Sequence, residues 1–158
     1  MEERVTVRKA IEEDVPALVE LWIEMMDLHR ELDLFFSRTA TGHERWAELV
    51  TGHMSKEKSC VFVAECRGRV AGYCAAFIEE NPAVIETVQY GSFQELSVSS
   101  KYRRRGVGAE LVKAMLQWFR ERKIERVEVR VAVHNELSTA FWRKMGFRPY
   151  LETLCCET

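Results

Sequence analysis

Apolar and polar positions change their spacing along the chain, and each change marks a new secondary-structure element. Val5 and Val7 alternate with polar neighbours, which is typical of a short strand. Large apolar residues then recur at helical spacing from Leu18 to Leu32. They follow Asp14, which can cap a helix, and Pro16, which suits a first turn. The pattern therefore predicts a strand followed by a long amphipathic helix.

The middle of the chain changes from a helical to an alternating pattern. A second helix is predicted around His43 to Met54. The run from Cys60 to Cys66 and the run from Val70 to Glu80 are separated by Arg67-Gly68, which predicts a β-hairpin. A further strand is predicted from about Thr87 to Val98.

The last third of the chain alternates helices with strands. A helix that begins near Gly108 is predicted to run to about Arg122, and a strand from Arg126 to Val133. Asn135 can cap a helix through Met145, Gly146 can end that helix, and Phe147 onward is predicted to be a last strand. The order βααβββαβαβ predicts a single α/β structure with a mixed sheet.

Length and composition fit one domain. The chain has 158 residues, of which 47% are hydrophobic and 30% charged, and a single core serves roughly 100–200 residues. The longest run without a charge, Val70 to Ile78, is too short to span a bilayer, and no apolar leader follows Met1. We therefore expect a cytoplasmic protein that does not interact with membranes.

Charge and cysteine content exclude further classes of site. Lys and Arg number 23 against 25 Asp and Glu, a net charge of −2, so no global positive field favours nucleic acid as a partner. The five cysteines include no C-x-x-C pair, which argues against a disulfide framework and against a metal site. Any anion site must be local.

The segment from Leu96 to Val112 contains the most informative motif. A predicted strand ends there, a turn with Gly106 and Gly108 follows, and a helix begins. Backbone N–H groups at the positive end of a helix dipole bind phosphate, and glycine lets the backbone approach the anion. Three arginines, Arg103 to Arg105, add positive charge. The alternative is a solvated basic run before an ordinary helix.

Two common phosphate loops do not fit this segment. The chain has no G-x-x-x-x-G-K-[ST] motif, and Gly106-Val107-Gly108 is followed at the third position by Leu111 instead of the glycine of a dinucleotide-binding loop. A nucleotide triphosphatase is therefore disfavoured.

The spacing Arg103-x-x-Gly106-x-Gly108 resembles the acetyl-CoA-binding motif of the GNAT superfamily of N-acetyltransferases. Leu96 to Val98 looks like the preceding strand end of that family, and Asn135 to Phe147 looks like its Asn-helix-Gly-Phe segment. The segment from Val7 to Pro16 is similar to its opening strand and helix cap. The resemblance implies one N-acetyltransferase domain over residues 1–158.

What the resemblance implies about fold and cosubstrate can be stated by residue. The fold would be a central mixed sheet flanked by helices, with two splayed parallel strands whose open backbone groups pair with the amide-bearing arm of acetyl-CoA. No metal is implied. The residues expected at the cosubstrate are Leu96, Ser97, Val98, Arg103, Arg104, Arg105, Gly106, Val107, Gly108, Ala109, Asn135 and Trp142. Asn135 has an alternative role as a simple helix cap.

Acetyl transfer to an amine also needs a base, because an alkyl ammonium has a pKa near about 10.4. Glu95 is our candidate, since related spermidine/spermine-type enzymes place an acidic pair where Gln94 and Glu95 stand. Strand alternation puts neighbouring residues on opposite faces, so a bulge would decide which of them enters the cleft. Alternatively, Glu95 is a surface or salt-bridged carboxylate, and Ser92 or Gln94 orders a water relay.

One position departs from the family pattern. Trp142 stands where many members have a tyrosine proposed to protonate the leaving coenzyme A, and an indole cannot act as that acid. Trp142 could donate a hydrogen bond to the sulfur or could pack in the core, in which case Tyr102 or Tyr150 serves instead. A thiol with a pKa near about 8.5 leaves tolerably as thiolate.

Further titratable residues could serve the acceptor. His134 directly follows a predicted strand that borders the cleft, although a solvated loop histidine is the alternative. Acidic residues near the end of the first helix and in the second would suit a cationic amine or else form solvated faces. These helix residues are His29, Glu31, Asp33, Glu44 and Glu48.

The sequence thus predicts an acetyl-CoA-dependent N-acetyltransferase that acts directly on an amine of a small molecule or peptide. No cysteine lies beside the cosubstrate loop, which disfavours a covalent thiol intermediate. An acyl-CoA-binding module with weak or lost catalysis is the alternative. A homodimer, paired through the last strand near Leu151, Leu154 and Cys155, is possible.

Overall fold

The computed structural model describes residues 4–158, which form a mixed five-stranded sheet with helices on both faces. The strands, in sheet order, are Val5–Lys9 (β1), Ser59–Cys66 (β2), Arg69–Glu80 (β3), Gln89–Val98 (β4) and Val127–Val129 (β5). The helices are Val15–Leu32 (α1), Gly42–Met54 (α2), Val107–Glu121 (α3) and Glu136–Lys144 (α4). The predicted fold class, α/β with a mixed sheet, is confirmed.

Two hydrophobic cores lie on opposite faces of the sheet. Alternate residues of β2 serve the two faces: Cys60 and Ala64 belong to the core with α3 and α4, whereas Val61 and Val63 belong to the core with α1 and α2. Because both faces are covered, β2 and β3 are apolar at nearly every position and show little of the alternation that a half-exposed strand has.

A β-bulge in β4 changes which side chains face each core. Ala76 of β3 pairs with Phe93, but the next residue, Ala75, pairs with Glu95, so Gln94 is the extra residue. A bulge reverses the alternation that follows it. Phe93 and Leu96 therefore share the face that packs against α3, while Glu95 lies on the face of α1 and α2.

The parallel pair β4 and β5 is short, which opens the sheet. Only residues 91–93 of β4 pair with Val127–Val129, whereas β4 continues to Val98 without a partner on that side. The strand predicted from Arg126 to Val133 thus forms only at its beginning. The splay expected from the family resemblance is present.

The strand predicted from Phe147 onward is wrong. Phe147 packs against the core, but residues 148–158 have no regular secondary structure, and Leu151 and Leu154 are 75% and 83% exposed. β5 offers an edge of only three residues, and Pro149 cannot donate to a strand ladder. The homodimer contact that was predicted through this strand therefore lacks the strand it requires.

Three cysteines, Cys60, Cys66 and Cys74, are buried and two, Cys155 and Cys156, are exposed. Within residues 4–158, His, Cys, Asp and Glu side chains form no group of three suited to a metal ion. No helix in the same range combines the length and hydropathy that crossing a membrane requires.

Gly91 of β4 lies where α3 packs most closely against a glycine of the sheet, because the Phe119 ring occupies the space that a side chain would need. A Cβ there would lie 2.6–2.9 Å from ring atoms of Phe119, which is fully buried. We expect Gly91→Ala to lower the free energy of unfolding by about 1–3 kcal/mol, because overpacking forces the ring to move. Urea unfolding at neutral pH measures this. The matched control is Gly52→Ala in α2, where a Cβ meets no atom within 4 Å and stability should rise by about 0.5–1 kcal/mol. Equal effects at both glycines would contradict the prediction.

Candidate active site

The N-terminus of α3 presents unpaired backbone donors. The helix begins after Gly106, whose φ of +81° suits glycine, and no side chain caps it. Its first backbone hydrogen bond runs from the Glu110 N–H to the Gly106 carbonyl, at 3.0 Å. The N–H groups of Val107, Gly108 and Ala109 therefore have no acceptor within the helix. Together with the helix dipole, they form an arrangement that suits a phosphate group.

Glycine is needed at Gly106 and at Gly108 for different physical reasons. A Cβ on Gly106 would meet nothing within 4 Å, so only its positive φ demands glycine. A Cβ on Gly108 would lie 3.3 Å from the Phe141 ring of α4. Gly108 thus permits close packing of α3 against α4, in addition to any approach of the backbone to an anion.

The loop of residues 103–108 that leads into α3 is called the phosphate-type loop below. Its first residue, Arg103, connects this loop to the end of β4 and to α1. Its Nε donates to the Val98 carbonyl at 3.2 Å, and its Nη2 lies 3.3 Å from Oε1 of Glu24. The same Glu24 oxygen accepts the Ser100 N–H at 2.8 Å. The neighbouring Arg104 and Arg105 are exposed at the helix entrance, where their charges strengthen the local positive field.

The last residues of β4 have open backbone groups on the side of β5. The Ser99 N–H donates to the Ala71 carbonyl of β3 at 2.9 Å. Because successive residues of a strand direct their backbone groups to opposite edges, those of Leu96 and Val98 face the other edge. The Val98 carbonyl accepts from Arg103 Nε, which leaves the backbone groups of Leu96 and the Val98 N–H for a ligand. That edge has no β5 partner beyond Phe93. An extended amide-bearing chain can pair there as an added strand.

Glu95 lies on the opposite face from Leu96, among aromatic side chains. Trp46 Nε1 donates to Oε1 and Oε2 of Glu95 at 3.0 and 3.1 Å, and the Tyr73 hydroxyl donates to Oε2 at 2.9 Å. Burial raises the pKa of the Glu95 carboxyl above its usual range, and these hydrogen bonds partly oppose that rise. Neutral donors, not a cation, hold this carboxylate, so the alternative of a surface or salt-bridged residue is wrong.

Asn135 and Trp142 both lie at α4 but have different surroundings. Asn135 caps the helix, because its side-chain oxygen accepts the Ser138 N–H at 3.1 Å. Trp142 is 5% exposed and packs between Phe93 and Phe147, with ring centroids 5.0 and 4.9 Å away. This position fits the core-packing alternative for Trp142, and its contact with the cosubstrate stays a prediction.

The phosphate-type loop, the open strand edge and the half-buried Glu95 carboxylate lie around one end of β4. Over residues 22–147 the chain matches the model of the Acetyltransferase (GNAT) family. The chain belongs to the GNAT family.

Relatives and solved structures agree with this assignment. The GNAT chain is 31% identical over 111 residues to mouse N-acetyltransferase family 8 member 7, covering 70% of this chain and 48% of the relative. It is 32% identical over 101 residues to an N-alpha-acetyltransferase of Sulfurisphaera tokodaii, covering 61% and 60%. The chain thus spans about half the length of the mouse relative it matches.

The fold itself is shared with crystal structures at low sequence identity. A Bacillus halodurans protein superposes with a TM-score of 0.85 at 19% identity, covering 97% of this chain and 99% of the other. A predicted acetyltransferase with acetyl-CoA from Clostridium acetobutylicum superposes with a TM-score of 0.74 at 15% identity, covering 98% and 96%. At these identities the superpositions show the common GNAT fold.

The other predicted residues of the GNAT site lie farther from this cluster or on its surface. His134 is exposed in the loop before α4, Gln94 is exposed and donates to Ser92 Oγ at 2.9 Å, and His29 Nδ1 lies 2.8 Å from the Met25 carbonyl oxygen of its own helix. The acids of the first two helices, Glu31, Asp33, Glu44 and Glu48, are exposed.

Sequence reasoning missed the two residues that hold Glu95. Trp46 falls within the predicted second helix and Tyr73 within the predicted strand from Val70 to Glu80, and neither belongs to a motif. No local spacing links these residues to Glu95, because they are 49 and 22 positions away in the chain. A polar tip on a buried aromatic residue was the one available signal, since such a tip needs a hydrogen-bond partner.

Asn135 offers a way to separate its two roles. Asn135→Ala removes the cap and is expected to lower the free energy of unfolding by about 1 kcal/mol. Asn135→Asp keeps an oxygen acceptor for the Ser138 N–H but removes the amide donor. If Asn135 also contacts the cosubstrate, Asn135→Asp will unfold like the wild type yet bind coenzyme A more weakly. Urea unfolding and calorimetric titration with coenzyme A measure the two effects, and wild-type affinity in Asn135→Asp would leave capping alone.

Proposed function

We propose that this GNAT protein is an acetyl-CoA-dependent N-acetyltransferase that transfers an acetyl group directly to an amine of a small molecule or peptide. The observation that carries the proposal is the position of Glu95. It lies between two residues of β4, Gln94 and Leu96, just past the point where the strand loses its partner, with its half-buried carboxylate on the face of α1 and α2.

The residues present fit acetyl-CoA as cosubstrate. The free amides of Val107, Gly108 and Ala109, with Arg104 and Arg105 beside them, suit its diphosphate. The open edge of β4 at Leu96 to Val98 suits its amide-bearing arm. When bound, the cosubstrate supplies an activated acetyl group as a thioester. The solved relative with acetyl-CoA supports this choice.

Glu95 fits the role of the general base. An acceptor ammonium with a pKa of about 10.4 must lose a proton before it can attack. A base works best when its own pKa lies near the working pH, and burial raises the pKa of Glu95 in that direction. The amine then forms the C–N bond, the C–S bond breaks, and the proton taken by Glu95 is released to solvent or to the departing thiolate.

The surroundings of Trp142 support a mechanism without a dedicated acid on α4. Its indole is in the core and does not release a proton near neutral pH. The thiolate of coenzyme A, with a thiol pKa near about 8.5, can leave and be protonated by water. The N-alpha-acetyltransferase of Sulfurisphaera tokodaii and an aminoglycoside acetyltransferase of the same fold are named for different kinds of amine acceptor. We therefore propose an amine acceptor and no narrower class of substrate.

The proposal is tested by thiol release from acetyl-CoA in the presence of a broad panel of amines. We expect one or more amines to accelerate release, and Glu95→Gln to lower kcat by about a hundredfold or more. In the wild type, kcat/KM should fall as pH drops through the raised pKa of Glu95, because the base becomes protonated; this limb should be absent in Glu95→Gln. Coenzyme A binding without turnover of any amine would instead support the acyl-CoA-binding module.

The phosphate-type loop is tested by a matched pair of glycines with positive φ. Gly106, with φ +81°, caps α3, and Gly68, with φ +71°, lies in the β2–β3 turn; a Cβ at either meets nothing within 4 Å. We expect alanine at each to lower the free energy of unfolding by about 1 kcal/mol, since the left-handed conformation is strained for a side chain. Only Gly106→Ala should weaken coenzyme A binding, by about tenfold if one charge-assisted hydrogen bond is lost. Calorimetry that finds equal affinity in both variants would remove the loop from the site.

A further inference from the structure

Two side chains from different elements donate hydrogen bonds to the same carboxylate. Trp46 comes from α2, and its Nε1 is 3.0 and 3.1 Å from the two oxygens of Glu95. Tyr73 comes from β3, and its hydroxyl is 2.9 Å from Oε2. The carboxylate is therefore fixed in orientation by two groups that belong to neither its own strand nor the cosubstrate loop.

We propose that Trp46 and Tyr73 are positioning residues for Glu95: they hold its carboxylate in one orientation and keep it available in the ionised form. This inference rests on the proposed function, in which Glu95 is the base. It concerns the residues that prepare Glu95, and neither of them is assigned contact with the acceptor.

Burial argues that both residues act through Glu95. Tyr73 is fully buried and Trp46 is 8% exposed, so little of either side chain is available to touch an acceptor. Each has a polar atom that would lack a partner without Glu95, and a buried donor without an acceptor is costly. The hydrogen bonds to Glu95 thus satisfy the two aromatic residues and the carboxylate together.

Both donors keep their protons at any working pH. Burial raises the pKa of Tyr73 well above its ordinary value, and the nearby Glu95 carboxylate raises it further. An indole N–H is a donor only. The Trp46 indole can only donate, and the Tyr73 hydroxyl keeps its proton and donates it to Oε2, so both hydrogen bonds favour the ionised form of Glu95.

Aromatic packing fixes the donors themselves. Trp46 stacks on Trp22 of α1, with ring centroids 5.5 Å apart and an angle of 18° between the planes. It also contacts the Tyr73 ring at 5.5 Å. The spacing of the two indoles leaves no room for a ligand between them, which argues that this cluster is a support and not a cation-binding cage.

The groups that face Glu95 come from three elements. Trp22 of α1 and Trp46 of α2 carry no charge. On β3, Tyr73 donates its hydroxyl to Glu95. Its neighbour Cys74 belongs to the core on the other face of the sheet, and burial raises its pKa well above the ordinary value, with Glu95 among the further causes. Trp46 and Tyr73 make the hydrogen bonds to the carboxylate, and Trp22 also favours its ionised form. Removal of a donor is therefore expected to act on Glu95 without a competing change in charge.

The test measures Glu95 directly and through activity. Carbon-13 NMR of the side-chain carboxyls, with the Glu95 signal identified by its loss in Glu95→Gln, follows the titration of this residue in the free protein. We expect both Trp46→Phe and Tyr73→Phe to raise the pKa of Glu95, because each removes a donor to the ionised form. At a pH below the transition, kcat/KM should fall about tenfold, the effect of one hydrogen bond to a charged group, with an unchanged KM for acetyl-CoA.

Matched controls separate this effect from general perturbation. Trp118→Phe changes a buried tryptophan of α3, and Tyr90→Phe a half-buried tyrosine of β4, and neither residue is hydrogen-bonded to Glu95. Both controls should leave the titration of Glu95 and the pH profile unchanged. If Trp46→Phe fails to fold, Tyr73→Phe alone still tests the positioning role, because this substitution removes a single oxygen atom and keeps the buried ring.

The outcomes distinguish this inference from the proposed function. An unchanged Glu95 titration in Tyr73→Phe would overturn the positioning role. A raised pKa of Glu95 in both variants, with no amine turned over by the wild type, would support the positioning role while the proposed function fails. A raised pKa with a parallel shift of the pH profile would support both.

Discussion

The bulge at Gln94 is the constraint on which the site depends. One extra residue in β4 turns Phe93 and Leu96 toward the same core and places Glu95 on the opposite face. Without it, Glu95 would share a face with Phe93 and would point toward α3, away from Trp46 and Tyr73. The same stretch of β4 is where pairing with β5 ends. The bulge at Gln94 therefore places the Glu95 carboxylate close to the strand edge that can pair with an extended ligand.

The two faces of the sheet contribute different parts of the candidate site. The face of α3 and α4 supplies the helix N-terminus with its free amides, and its core, which includes Trp142, holds that helix against β4. The face of α1 and α2 supplies Trp46 and the surroundings of Glu95. The proposed base and the proposed anion site need opposite electrostatic surroundings, and a sheet between them allows each to be built without weakening the other.

Helix α1 links these two halves. The buried Ser97 hydroxyl donates to the Leu21 carbonyl at 3.0 Å, which fixes β4 against the helix. One turn later, Glu24 accepts from the Ser100 N–H and lies beside Arg103 of the phosphate-type loop. The end of β4, the loop and the helix that carries Trp22 are therefore linked by one buried hydrogen bond and by exposed polar contacts of Glu24. Such preorganisation is what a site needs to act without rearrangement at the moment of reaction.

The sequence by itself determined the elements and the phosphate-type loop, because these depend on neighbours in the chain. Helical spacing defined the four helices, and alternation or apolar runs bounded by turn residues defined the first four strands. Gly106 and Gly108 marked the start of α3, since the demand for positive φ and close approach is local. The same local reasoning failed for residues 148–158, because a strand forms only where a partner edge is available. Tertiary structure alone decided that Glu95 is half-buried, that Trp46 and Tyr73 hold it and that Trp142 belongs to the core. Those contacts join residues far apart in the chain, and the bulge that sets their faces leaves no mark on the hydrophobic pattern.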